Sequence, residues 1–216
     1  MKTVFEDFKE ALLRIDRVSV HKLYQERHPD VSTLEFAETI VTPALEAIGS
    51  GWAAGTVSLS QVYMAGRICE DLVSEIFASN NSGPRYVDSD RKIALAVLSD
   101  RHFLGKRIVA SAVKLAGFNL LDYGSMEPAP LVERVAVDDV DILLISTLML
   151  PSALKVKAVV GGLRAKGRAT KIVVGGAPFL LDKELWKVVG ADAMGDTASS
   201  AIRIIHEMME TAEWAQ

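Results

Sequence analysis

The sequence predicts a small helical bundle followed by a doubly wound α/β domain built on a five-stranded parallel sheet. Three observations predict it. Residues 1–83 carry apolar side chains at helical spacing and no run that reads as a strand. The segment Ser79-Asn80-Asn81-Ser82-Gly83-Pro84 then has the small polar, Gly and Pro content of a loop or linker. Beyond it, short β-branched runs alternate with amphipathic stretches, the pattern of repeated βα units.

The first helix carries Val4, Phe5, Phe8 and Leu12. A second, short one covers 18–26, with Leu23 and Tyr24 inward. Ser32-Thr33-Leu34-Glu35 has the Ser and Glu spacing of a capping box, and the helix it opens carries Phe36, Ile40, Ala44, Leu45 and Ile48. Pro43 lies inside that pattern and should kink it or break its hydrogen bonding. Gly49, Gly51 and Gly55 bracket Trp52. Ser58-Leu59-Ser60-Gln61 is a second capping-box pattern, ahead of Leu59, Val62, Tyr63, Ile68, Leu72 and Ile76. Four such helices make an antiparallel bundle. In the second part strands are expected at 92–99, 119–123, 141–146, 171–175 and, with the weakest pattern, 191–194. Helices are expected at 105–116, 130–137, 152–166, 183–189 and 198–212. Apolar strands such as Ile142-Leu143-Leu144-Ile145 suit a parallel sheet buried on both faces. The boundary falls at 83/84, giving a bundle at 1–83 and an α/β domain at 84–216.

Half of the 216 residues are hydrophobic, enough for a core in each part, and the net charge is −4. No basic run offers the electrostatic footprint of a nucleic-acid partner. Cys69 is the one cysteine, so there is neither a disulfide framework nor a thiolate metal cluster. Glu6 and Asp7 stand where a signal peptide would be apolar, and no apolar run is long enough to span a bilayer. The expectation is a cytoplasmic chain with no direct nucleic-acid or membrane partner.

In this fold the loops after the first, third and fourth strands meet at the C-terminal edge of the sheet, where ligands bind. The first loop is Asp100-Arg101-His102-Phe103-Leu104-Gly105. Its histidine has a carboxylate two residues before it, which can hold one ring nitrogen while the other binds a metal, and a glycine three residues after it, which lets backbone pass close to a bulky group. By itself this hexapeptide reads rather as a loop with a helix-capping Asp and a solvated His. The second loop, 146–152, offers the hydroxyls of Ser146 and Ser152; the third has Gly175 and Gly176, where a flat group could slide past. None has the Gly-x-Gly-x-x-Gly of a dinucleotide site.

Together the three loops resemble the cobalamin-binding module of methionine synthase and of the corrinoid proteins of methyltransferase systems. That family carries Asp-x-His-x-x-Gly, Ser-x-Leu and Gly-Gly, here Asp100/His102/Gly105, Ser146/Leu148 and Gly175/Gly176, with a further Ser at 152. The resemblance covers the whole chain, because the family also places a four-helix cap before a Rossmann- or flavodoxin-like domain. It implies that His102 ligates cobalt from the lower face in place of the cofactor's own benzimidazole, that Asp100 holds the other imidazole nitrogen, and that Ser152 hydrogen-bonds to Asp100. Arg101, Phe103 and Leu104 complete the ligand loop. Gly105, Ser146, Leu148, Gly175 and Gly176 would line the slot for the displaced nucleotide tail. Trp52, Leu59, Val62 and Tyr63 would shield the upper face. Other roles stay open: Trp52 and Leu59 as bundle core, Tyr63 as boundary packing, Ser152 as a helix N-cap. His21, His28 and His206 have no matching partners and read as surface or structural residues.

The function implied is a methyl carrier, loaded by one methyltransferase and unloaded by another, with methylcobalamin or hydroxocobalamin favoured over adenosylcobalamin. Partner methyltransferases and a reductive activator would supply the rest, and 79–84 would be the hinge that moves the cap. The rival is a cobalamin-dependent sensor, because light-sensing regulators share both parts. Their cap has Trp, nine residues, then Glu-His; here Trp52 is followed by Val62-Tyr63 at that place. A storage or delivery protein would have almost the same sequence.

Overall fold

The structure is a computed structural model and describes residues 3–27, 31–79 and 91–210. The chain divides into two compact units, Met1–Ser82 and Gly83–Gln216. The hinge expected at 79–84 lies, apart from Ser79, outside the described residues, as does His28.

In the first unit, α1 (Val4–Leu13) starts at Thr3, whose hydroxyl accepts the Glu6 N–H. After α2 (Arg17–Arg27), α3 (Thr33–Phe36) is capped by the Ser32 hydroxyl, which accepts the Glu35 N–H. It runs on through a π-helical segment, Ala37–Val41, into α4 (Thr42–Ala53). This is how the chain accommodates Pro43. The helix does not stop; it widens by one residue just before the proline, where the ring would crowd the carbonyl four residues back. The widening also moves the buried stripe, so Ala37 and Val41 are buried while Ile40 and Leu45 are half-buried. A reciprocal box opens α5 (Leu59–Ser79): Ser58 Oγ accepts the Gln61 N–H and Gln61 Oε1 accepts the Ser58 N–H. The core gathers Phe8, Leu12, Tyr24, Phe36, Ile48, Ile68 and Leu72, with Phe8 and Tyr24 edge-on to Phe36. Trp52, Leu59 and Tyr63 are exposed, which removes the bundle-core role for Trp52 and Leu59. The buried stripe of α5 is Ala65, Ile68, Cys69, Leu72 and Val73, and at 3.6 residues per turn Leu59 and Tyr63 lie more than a quarter turn from it.

The second unit is a five-stranded, wholly parallel sheet in the order β2-β1-β3-β4-β5. The strands are β1 (Ile93–Leu98), β2 (Leu120–Met126), β3 (Ile142–Ser146), β4 (Lys171–Gly175) and β5 (Ala193–Gly195). On one face α6 (Leu104–Leu115) and α12 (Ala198–Glu210) pack through Ala110, Val113, Ile204 and Ile205 onto Ile93, Leu95, Ile142 and Leu144. On the other, α7 (Pro128–Asp138), α8 (Leu150–Leu154), α9 (Val156–Ala165), α10 (Ala177–Leu181) and α11 (Leu185–Val189) cover Ala94, Ala96, Leu143, Ile145 and Val174. Every residue of β1 is buried, as an apolar central strand requires.

Several elements differ from the sequence expectation. β2 runs to Met126 because Gly124, at φ 68°, takes up an extra residue where the register with β1 shifts, and the strand then resumes. The helix expected at 152–166 is two, broken at Lys155. A short helix, α10, occupies the stretch after Gly176 that reads as loop. α7 begins at Pro128, whose fixed φ suits the first helical turn. Among the described residues no helix is long and apolar enough to cross a membrane.

Lys106 of α6 is buried and its ammonium pairs with Asp122 of β2. Burial acts to raise the Asp122 carboxyl, but Lys106 and the Gly124 N–H outweigh it and hold it below the usual range. A lowered folded-state value contributes stability that is complete above the ordinary carboxylate range and is lost as pH falls through that lowered value. Asp122 is 41% exposed, so solvent screens the pair, and Asp122→Asn should lower the unfolding free energy at neutral pH by no more than about 1 kcal/mol and flatten its decline on acidification. Urea unfolding of both proteins across the acid range checks the size and the sign.

Candidate functional site

The strand order reverses between β1 and β3, so their C-terminal ends open a crevice between loops that run to opposite sides. Asp100 sits there, 8% exposed, and its carboxylate joins two loops. Oδ1 accepts the backbone N–H of Arg101 at 2.7 Å, that of His102 at 3.2 Å and the His102 ring at Nδ1, 2.6 Å away. Oδ2 accepts the N–H groups of Leu148 and Met149 at 3.1 and 3.2 Å. Burial acts to raise this carboxyl, and the bonds from His102, Leu148 and Arg101 outweigh it, so it is held below the usual carboxylate range. In the neutral ring, an Nδ1–H donating to Asp100 leaves the lone pair on Nε2 of His102. The His102 side chain is 54% exposed, so this nitrogen is offered outward from a fixed ring.

The three loops do come together. Ser146 pairs with Gly175 across β3 and β4, and Gly105 faces Ser146. Arg101, Gly105 and Leu148 are exposed, while Phe103, Leu104, Ser146, Gly175 and Gly176 are half-buried. In the helical unit Trp52, Leu59 and Tyr63 are exposed and Val62 half-buried. One contact differs from expectation. Ser152 is buried, but its hydroxyl donates to the Ser99 carbonyl at 3.0 Å and not to Asp100. The loop's own N–H groups already hold Oδ2 of Asp100, and the neighbouring carbonyl takes the hydroxyl. Ser125 and Met149 were not among the expected residues. Ser125 Oγ donates to the Asp100 carbonyl at 2.6 Å. Its signal was a polar residue at the end of the strand beside β1, hidden by an expected end of β2 at residue 123. Met149 acts through its backbone N–H, for which side-chain chemistry gives no signal. His206 packs its ring against Phe118 and His21 faces Glu75, both structural settings.

The glycines divide into two kinds. Gly176 has φ 109°, and a Cβ there would lie 1.9 Å from the Thr147 carbonyl oxygen. Backbone packing alone demands glycine. At Gly105 a Cβ would meet only the Ser146 hydroxyl, at 3.5 Å, so the fold tolerates a methyl there. Gly176→Ala should cost the apoprotein at least about 3 kcal/mol, from a conformation nearly restricted to glycine plus a backbone clash. Gly105→Ala, in the first turn of a helix, should change apoprotein stability by less than about 1 kcal/mol. Denaturant unfolding of the two variants separates the roles.

One exposed imidazole, with the exposed apolar side chains of Leu148, Met149 and Leu150 on the loop that Asp100 binds, offers a single donor suited to a metal that brings its other ligands with it. Among the described residues no three His, Cys, Asp or Glu side chains cluster to hold a free ion. These features fit a metal carried in a broad macrocycle. Residues 91–209 match the B12 binding domain family, and residues 4–76 match a second family also described as a B12 binding domain. The chain is 24% identical over 217 residues to a corrinoid protein of Desulfitobacterium hafniense, covering 96% of this chain and 98% of that one. It is 26% identical over 217 residues to monomethylamine corrinoid protein 1 of Methanosarcina mazei, with the same coverage. Its fold matches the structure of the Methanosarcina barkeri monomethylamine corrinoid protein with a TM-score of 0.82 at 22% identity, covering 95% and 98% of the two chains. The chain belongs to the B12 binding domain family.

Proposed function

We propose that this protein binds cobalamin and carries a methyl group on its cobalt between partner methyltransferases. The observation that carries the reading is His102, whose Nδ1 is fixed 2.6 Å from Asp100 while its other nitrogen is offered at the sheet edge. The methylamine corrinoid proteins that match over nearly the whole chain support it. The bound cofactor supplies a cobalt that can accept and release a methyl group; the chain supplies binding, orientation and access. His102 would be the lower axial ligand, and Asp100, already paired to Nδ1, keeps the imidazole in the tautomer that presents Nε2. Arg101, Phe103 and Leu104 shape the ligand loop. Gly105, Ser146, Leu148, Gly175 and Gly176 would admit the nucleotide tail between the loops. Trp52, Leu59, Val62 and Tyr63 would shield the upper face with apolar surface, excluding water from the methyl group. Methyl- or hydroxocobalamin is the favoured form, and a reductive activator would restore cobalt after oxidation.

Titrating the purified apoprotein in the dark with methyl-, hydroxo- and adenosylcobalamin tests this. Preference for methyl- or hydroxocobalamin supports the carrier; preference for the adenosyl form points to a sensor; no binding to any of them overturns the cofactor assignment. His102→Ala should alter the absorption spectrum of the bound cofactor and weaken binding about 10- to 100-fold. Gly105→Ala should weaken binding while leaving the apoprotein as stable as the parent. An unchanged spectrum in His102→Ala would remove the axial-ligand role.

A further inference from the structure

Ser99, the residue before the Asp100 carboxylate, has φ 50°, a left-handed conformation that costs a residue with a Cβ. It is held there from three sides. Its N–H donates to the Met126 carbonyl at 2.9 Å, and its carbonyl accepts the Ser152 hydroxyl. Its own hydroxyl donates to Glu127 Oε2 at 2.6 Å, and the same oxygen accepts Lys155 Nζ at 3.0 Å. Glu127 stands at the turn from β2 into α7, and Lys155 at the break between α8 and α9. This carboxylate therefore ties the β1 loop to the ends of two neighbouring segments. The next peptide is pinned as well, because Ser125 donates to the Asp100 carbonyl. The direction in which Asp100 leaves β1, and so the place of the His102 ring, follows from these peptide planes.

We propose, on the reading of His102 as the axial ligand, that Glu127 is a positioning residue for it. Glu127 acts through Ser99, and Lys155 fixes the carboxylate in turn. The charge-assisted bond offsets the cost of the left-handed serine. Without it Ser99 relaxes, the Asp100–His102 pair turns, and His102 is held less well against cobalt. Glycine adopts this backbone region without penalty, so at a glycine Glu127 would have nothing to hold.

The test loads the protein with methylcobalamin and follows loss of the axial histidine by absorbance as pH is lowered. Glu127→Ala should raise the midpoint by about 0.5 to 1 pH unit, a three- to tenfold weaker ligation, at or below the lower end of what loss of a ligand's supporting group costs. Glu127 is largely exposed, so the variant should lose only a little stability and remain folded. Glu127→Gln, which can still accept from Ser99, should stay near the parent midpoint. Ser99→Gly should also stay near it, and adding Glu127→Ala to Ser99→Gly should change nothing further. A parent-like midpoint in Glu127→Ala overturns the positioning role alone, provided His102→Ala alters the spectrum. A double variant as impaired as Glu127→Ala shows that the effect does not pass through Ser99 and overturns it too. If His102→Ala leaves the spectrum untouched, the axial-ligand reading fails and this proposal with it.

Discussion

The candidate site depends on one buried carboxylate. Asp100 accepts four backbone N–H groups and one imidazole N–H, drawn from its own loop and from the loop after β3. Taking a carboxylate out of water costs several kcal/mol unless its oxygens are met by donors, and here both are. The same bonds that keep Asp100 ionised close the β1 loop onto the β3 loop. The histidine is thus oriented by the fold itself. On the proposed reading of His102 as the metal ligand, a cofactor would find the ring already turned, and little of its binding energy would go into ordering the loop.

That economy explains why the three short motifs lie so far apart in sequence and yet behave as one object. Strands β1, β3 and β4 are neighbours in the sheet, so their ends deliver residues 100, 146 and 175 to one edge. The motif residues nevertheless answer to different pressures. Gly176 is demanded by the Thr147 carbonyl whether or not a ligand ever binds. At Gly105 no backbone among the described residues lies against the absent Cβ, and the Ser146 hydroxyl at 3.5 Å is an ordinary contact. Matching a motif letter by letter hides this division; the distance from each absent Cβ to its neighbours reveals it.

The same contrast governs what was legible in the sequence. β1, β3 and β4 were readable because an unbroken apolar run between turn signals is what a strand buried on both faces must look like. The Asp100–His102 pairing was readable because two residues on one loop cannot be far apart. Longer-range hydrogen bonds were not. Ser152 has several acceptors within a short reach, and only the packed loop decides that the Ser99 carbonyl takes its proton. The expected end of β2 at residue 123 stops short of Gly124, whose left-handed φ inserts a bulge before the strand resumes to Met126. In the helical unit, Leu59 and Tyr63 share spacing with the core residues of α5 but fall on another stripe. Periodicity finds an apolar face and is silent on which of two faces the bundle buries. The π-helical turn before Pro43 was legible as a disturbance, and its form was not.

These two kinds of surface bear on the division of labour. A side chain that attacks a methyl donor must be reachable and hold its reactive electron pair free. Cys69, the obvious nucleophile of this chain, meets neither condition: it is buried, and burial pushes its thiol up to about 12. Glu70, beside it, is buried and paired with Arg67. At the sheet edge Asp100 has its oxygens occupied, while His102 has one nitrogen committed and one on offer. Among the described residues of that edge, Asp100 is committed to fixing the ring, and the second nitrogen of the imidazole is the group left to meet a metal.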